Sequence, residues 1–160
     1  MSEIHNITPV YNQDSRILIL GSFPSVKSRQ AQFFYHHPQN RFWRVLENLY
    51  QVEKLETIED KKAFLLEHHI ALWDVIESCE IKGSSDSSIK DVKINDIQKL
   101  INESHIHKIY TNGQKAHQLY QKYCLEIIQL EDICLPSTSP ANATYSLEKL
   151  LLSWQIVLQS

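Results

Sequence analysis

The chain has 160 residues, 16 Lys plus Arg against 19 Asp plus Glu, a net charge of −3 and 42% hydrophobic residues. These values describe one globular domain over residues 1–160 and exclude long disorder, a membrane-spanning stretch of ~20 apolar residues and a nonspecific nucleic-acid coat. Three cysteines without CxxC spacing, after a polar start read as no signal peptide, exclude a disulfide framework, an iron–sulfur cluster and a zinc ribbon, and imply a reducing, cytoplasmic compartment.

In chain order, a short apolar run at residues 16–20 reads as the first strand. Phe42, Val45, Leu46 and Leu49 recur at i, i+3, i+4, i+7 and make residues 41–50 an amphipathic helix. A second helix follows at 59–69, a strand at 70–76, a helix at 94–103, a strand at 108–111, a helix at 113–123, a strand at 126–134 and a last helix at 145–158. No internal repeat, low-complexity tract or linker interrupts the series. Strands alternating with helices imply a parallel sheet covered on both faces.

Ligands bind such sheets beyond the carboxyl ends of the strands. There the sequence places GSFPS at 21–25, WDV at 73–75 with GSSDS at 83–87, NGQKA at 112–116 and LPSTSPAN at 135–142. All three glycines of the chain, Gly21, Gly83 and Gly113, fall on this rim. The absence of GxGxxG, GxxxxGK[ST] and GxSxG removes dinucleotide, P-loop and α/β-hydrolase readings. Eight histidines lack HExxH or HxE…PCxxC context, so no metal site is expected.

The chemistry left to the rim is neutral and polar. Ser22, Ser25, Ser137, Thr138 and Ser139 offer hydroxyls to phosphates. Residues 15–46 hold no acid while Arg16, Lys27, Arg29, Arg41 and Arg44 give +5, so the other residues carry 11 − 19 = −8. Phe23, Phe33, Phe34, Tyr35 and Trp43 interleave with these cations; Trp43 and one of the two phenylalanines read as core. Cations, Ser/Gly loops and aromatics together suit gripping a nucleic-acid backbone and stacking an extruded base.

With FYHHPQNRFW at 34–43 added, the blocks resemble the uracil-DNA glycosylase superfamily, and most of all its hypoxanthine-DNA glycosylase branch. The likeness spans about residues 17–145, in order. It implies a three-layer α/β/α fold around a four-stranded parallel sheet. It implies a monofunctional, monomeric, cofactor-free enzyme that hydrolyses the N-glycosidic bond of a damaged base flipped from double-stranded DNA. By the same resemblance Asn40 is the catalytic residue, and Phe23 stands where other branches carry a catalytic Asn or Asp. Tyr35 is expected to stack on the base, with Phe23 on its other face, and Asp74 or Asn112 to read its edge. Ser22, Pro24, Ser25, Lys27, Arg41, Gly83, Ser84, Ser137, Thr138, Ser139 and Asn142 are expected at the DNA. Leu135 replaces the His of fast uracil enzymes.

Mechanistically, Asn40 cannot deprotonate water, but its amide oxygen is expected to accept a water hydrogen bond and orient the attack. Its place before a helix gives it a capping role as well. Two other readings stay open: a uracil or G·T/G·U mismatch glycosylase of the same superfamily, and a nucleic-acid-binding module with a degenerate site, which Phe23 keeps alive.

Overall fold

The computed structural model describes residues 2–4 and 7–159. Its centre is β2 (Ile17–Gly21), five residues with no polar side chain, every one buried. A strand apolar on both faces must be covered on both, and β2 sits inside a parallel sheet with β3 (Ile70–Asp74) on one side and β6 (Lys108–Asn112) on the other. β7 (Asp132–Leu135) extends the sheet beyond β6, so the order is β3-β2-β6-β7.

Alternation along β2 builds two cores. Ile17 and Ile19 join Leu72, Tyr110 and Leu135 under α2 (Phe42–Tyr50), α3 (Ile58–Glu67) and α7 (Leu147–Trp154). Leu18 and Leu20 join Ala71 and Ile109 under α4 (Ile97–Asn102) and α5 (Gln114–Tyr123). The layers are therefore helix, sheet, helix. Side-chain caps set the helix starts: Thr57 for α3, Asp96 for α4 and Ser146 for α7 each accept a backbone N–H three residues on.

Four expectations change. The run at 70–76 divides at Val75: β3 stays in the parallel sheet, and β4 (Ile76–Glu80) turns away into an antiparallel sheet between β1 (Ser2–Ile4) and β5 (Lys90–Ile94). Because Ile94 ends β5, the helix expected over 94–103 shrinks to α4. The stretch 126–134 opens as a short helix, α6 (Leu125–Ile128), and becomes strand only at Asp132. The last helix is α7 alone, followed by a 3₁₀ turn over Gln155–Gln159. A further short helix, α1 (Val26–Ala31), was not expected; its sequence VKSRQA carries no apolar repeat, and Ser25 caps it. Among the described residues, no helix is long and apolar enough to cross a membrane.

Candidate active site

After β2 the chain passes to the helices on one face of the sheet, whereas after β6 it enters α5 on the other. The carboxyl ends of these neighbouring strands therefore splay their connections apart and leave a crevice between them. A cavity of about 280 Å³ opens there. Its wall is made by the four sequence blocks that follow the strands, together with the segment before α2.

The floor is set by Gly21. A Cβ at this position would stand 2.4 Å from Asp74 Oδ1 and 3.0 Å from Tyr35 Oη, so only glycine lets the carboxyl and the phenol close over the strand end. Asp74 is 3% exposed. Burial, and then the charge of Asp86, push its carboxyl up to about 7. Burial likewise drives the Tyr35 phenol far above its ordinary range; the Asp74 charge adds to this and the Asn112 amide opposes it. Near neutrality the floor thus holds a carboxyl present in both protonation states beside a neutral phenol. The Tyr35 ring stacks on Phe42, with centroids 4.1 Å apart. Its backbone is left-handed, φ 52°, a conformation uncommon for a bulky residue. The buried Ser28 hydroxyl, which accepts the His36 N–H at 2.9 Å, holds the turn just beyond it.

Asn40 lines the cavity, but not in the expected manner. Its Oδ1 accepts the Phe42 N–H at 2.9 Å and the Thr138 hydroxyl at 2.8 Å. Both lone pairs of the amide oxygen are therefore used, and it has none left to orient a water. The first bond does cap the start of α2, as its place before the helix suggests. Thr138 is fully buried. Its Oγ1 also accepts from Asn112 Nδ2, and its N–H donates to Asn112 Oδ1, both at 3.0 Å. One further expectation is thereby corrected, because Thr138 is closed off from DNA; Asn112 commits one lone pair of its amide oxygen and one of its two amide hydrogens to Thr138 and lines the cavity.

Arg41 is the next correction. Its guanidinium donates to the carbonyls of Tyr145, Ser139 and Asn142, and its N–H to the carbonyl of Thr138. It ties the loop after β7 to α2 and commits three of its five guanidinium N–H groups to that loop instead of to a phosphate. Asn142 starts no helix; its amide donates to Ser137 O and its N–H to Ser139 O, closing the same loop.

The remaining expected residues gather on one rim. Phe23 and Pro24 are buried in the cavity wall. Ser22 Oγ donates to Asp86 Oδ1 at 3.0 Å, Ser25 caps α1, and Ser84 Oγ accepts the Val26 N–H. Gly83, exposed with φ 59°, offers its carbonyl to Arg29, whose guanidinium also lies 5.1 Å from the Phe23 ring centroid. Ser137 and Ser139 line the cavity, and Lys27 is exposed on α1. Trp43 is core, as expected, and both Phe33 and Phe34 are buried, although Phe34 also reaches the cavity wall. His37 and Asp86 line the cavity too and were not foreseen as site residues. His37 lay within the FYHHPQNRFW block and Asp86 within GSSDS, so the signal was present in both.

Among the described residues no group of three or more His, Cys, Asp or Glu is placed to hold a metal ion. The cavity can thus grip a flat polar ligand through a dual-state carboxyl, an open amide NH₂ and aromatic walls.

Comparison with known proteins agrees with this arrangement. The family model for the uracil DNA glycosylase superfamily matches residues 8–157. A hypoxanthine DNA glycosylase of Methanosarcina acetivorans is 37% identical over 139 residues, 86% of this chain and 87% of that protein. One of Methanosarcina barkeri is 34% identical over 137 residues, 84% of this chain and 85% of its own. The solution NMR structure of a Methanosarcina acetivorans protein described as a uracil DNA glycosylase superposes with a TM-score of 0.83 at 34% identity, covering 99% of this chain and 98% of that one.

Proposed function

Because the chain belongs to the uracil DNA glycosylase superfamily, we propose that this DNA glycosylase removes hypoxanthine from deoxyinosine in double-stranded DNA, leaving an abasic site. The names of two relatives support the substrate. The carrying observation is Asp74 at the cavity floor, a buried carboxyl pushed up to about 7. Hypoxanthine presents a carbonyl beside a ring N–H. A protonated carboxyl donates to the first and accepts from the second, and its neutrality spares it from repelling the leaving purine as negative charge develops there.

In this reading the base enters between the Phe23 and Tyr35 walls, Asp74 reads its edge, and Asn40 is the catalytic side chain. Ser22, Pro24, Ser25, Lys27, Gly83, Ser84, Ser137 and Ser139 border the strand from which the base is drawn. The enzyme works as a single domain, as a monomer, in the cytoplasm, and without metal or cofactor.

Duplexes carrying inosine, uracil or a G·T mismatch, incubated with protein and then treated with alkali to break abasic sites, test this directly. Cleavage greatest at inosine is expected. Cleavage confined to uracil or to the mismatch would reassign the substrate, and binding without cleavage of any duplex would make the chain a DNA-binding module.

A further inference from the structure

Two backbone N–H groups determine every orientation in the cluster behind Asn40. The Phe42 N–H can donate only to an oxygen, which makes the bonded atom of Asn40 its Oδ1. The Thr138 N–H likewise fixes Oδ1 of Asn112, so the other Asn112 atom, facing Thr138 Oγ1, is the NH₂ and donates. A hydroxyl has one hydrogen; with Asn112 donating to it, Thr138 Oγ1 sends that hydrogen to Asn40 Oδ1. No flip of either amide satisfies both backbone donors. Asn40 is left with its oxygen turned inward and its Nδ2, without a partner among the described residues, as the group it offers to the cavity.

We propose that Thr138 is a positioning residue of the glycosylase reaction: its buried hydroxyl, held by Asn112, turns Asn40 so that the NH₂ faces the base and donates a hydrogen bond to it as it departs. This rests on reading the cavity as the glycosylase site. In the step itself the bond from C1′ to the base nitrogen breaks, and its electron pair passes to the base. The oxygen of a water bonds to C1′, and the proton lost by that water ends on the base or in solvent. Asn40 Nδ2 gains most where negative charge builds on the base, so the bond it makes is stronger in the transition state than in the bound substrate. Thr138 touches neither base nor sugar and acts only through Asn40.

The experiment measures single-turnover cleavage of an inosine duplex alongside the Kd for the same duplex. Thr138→Val keeps the shape and removes the hydroxyl; its single-turnover rate is expected to fall roughly 100-fold, as misplaced catalytic groups do, with Kd unchanged. Thr138→Ser restores the hydroxyl and most of the rate. In an Asn40→Ala background Thr138→Val is expected to add nothing, since the group it positions is gone. Asn40→Asp retains both inward bonds but has no NH₂, and is expected to lose as much as Asn40→Ala.

Four results overturn the proposal alone: full activity of Thr138→Val, a Thr138→Val loss confined to Kd, full additivity with Asn40→Ala, or an Asn40→Asp variant as active as wild type. The last would restore a water-orienting acceptor. Should Thr138→Val fail to fold by circular dichroism, the Asn40→Asp result decides between donor and acceptor by itself. A wild-type protein that cleaves no lesion duplex would overturn the reading of the cavity, and the proposal with it.

Discussion

At the scale of single residues the site is governed by what lies against the end of β2. Asp74 is harder to ionise when folded than when unfolded, where its carboxyl sits near 3.8. The relative stability this gives is complete below about pH 4 and is lost as pH rises through about 7; above that the protein holds a buried charge. Asp74→Asn is therefore expected to raise the thermal midpoint at pH 8, by the equivalent of up to about 4 kcal/mol, and to change it little at pH 4. Thermal melts of both proteins across that range check the sign. The same ionisation predicts that the single-turnover rate of the wild type declines above about pH 7, whereas the residual rate of Asp74→Asn is flat there. A wild-type rate that rises through pH 7 would instead assign the work to the carboxylate. Gly21→Ala sets a methyl 2.4 Å from Asp74 Oδ1, a contact that displaces the carboxyl and costs about 1–3 kcal/mol. Its cleavage is expected to fall further than its stability if the displaced atom reads the base, as proposed.

At the scale of elements, a few crossing bonds assemble the site from distant segments. Arg41 gives its guanidinium to three carbonyls of the loop after β7. Bonds from a charged donor contribute about 1.5–3 kcal/mol each. Arg41→Ala is expected to destabilise the fold by about 2–4 kcal/mol and to speed amide exchange over residues 137–145 selectively, leaving β2 protected. Uniform exchange would show that the loop is held by something else. This also explains what could be read from the chain. β2, β3 and β6 were legible because they are short apolar runs ended by Gly, Asp or Asn. The antiparallel sheet was not: IESCE and KDVKI are half-exposed and mixed in polarity, so neither has an apolar face to reveal it. α6 misled because LEII is apolar like a strand, yet Ile127 is 64% exposed. At the site, clusters of Gly, Ser, Pro and Asn past the strands marked the cavity wall correctly. What they could not reveal is which side chains are already consumed. Arg41, Thr138, Asn112 and Asn142 have the polar groups of a DNA contact, but their partners are backbone groups and one another's or Asn40's side chains, some about a hundred residues away in sequence, which only the fold brings near.

At the scale of the whole molecule, the same consumption of polar groups alters the charge argument. Residues 15–46 carry +5 in sequence, but these charges do not form one face. Arg16 stands before β2, at the opposite end of the sheet from the cavity, beside Asp14, His69, His105 and His107. Arg44 is exposed on α2, Arg41 is bound into the loop, and Arg29 pairs with Glu3 at 3.4 Å and with the Gly83 carbonyl. Of the five, Lys27 remains as an exposed cation on the rim helix, and the carboxyl groups of Asp74 and Asp86 line the cavity itself. Each phosphate neutralised contributes about −0.9 to the slope of log K against log salt on duplex DNA. A rim of five free cations would give a slope near −4.5, whereas this arrangement predicts a shallow one of about −1 to −2. Lys27→Gln is expected to flatten it by about one unit and to leave the single-turnover rate at saturating protein intact. Arg16→Gln, at the far pole, is expected to leave the slope unchanged. A steep wild-type slope that both substitutions reduce equally would mean that DNA wraps to the far end of the sheet. A shallow slope answering to Lys27 alone places the duplex on one rim, where grip comes from backbone amides and hydroxyls and release of undamaged DNA needs few ions returned.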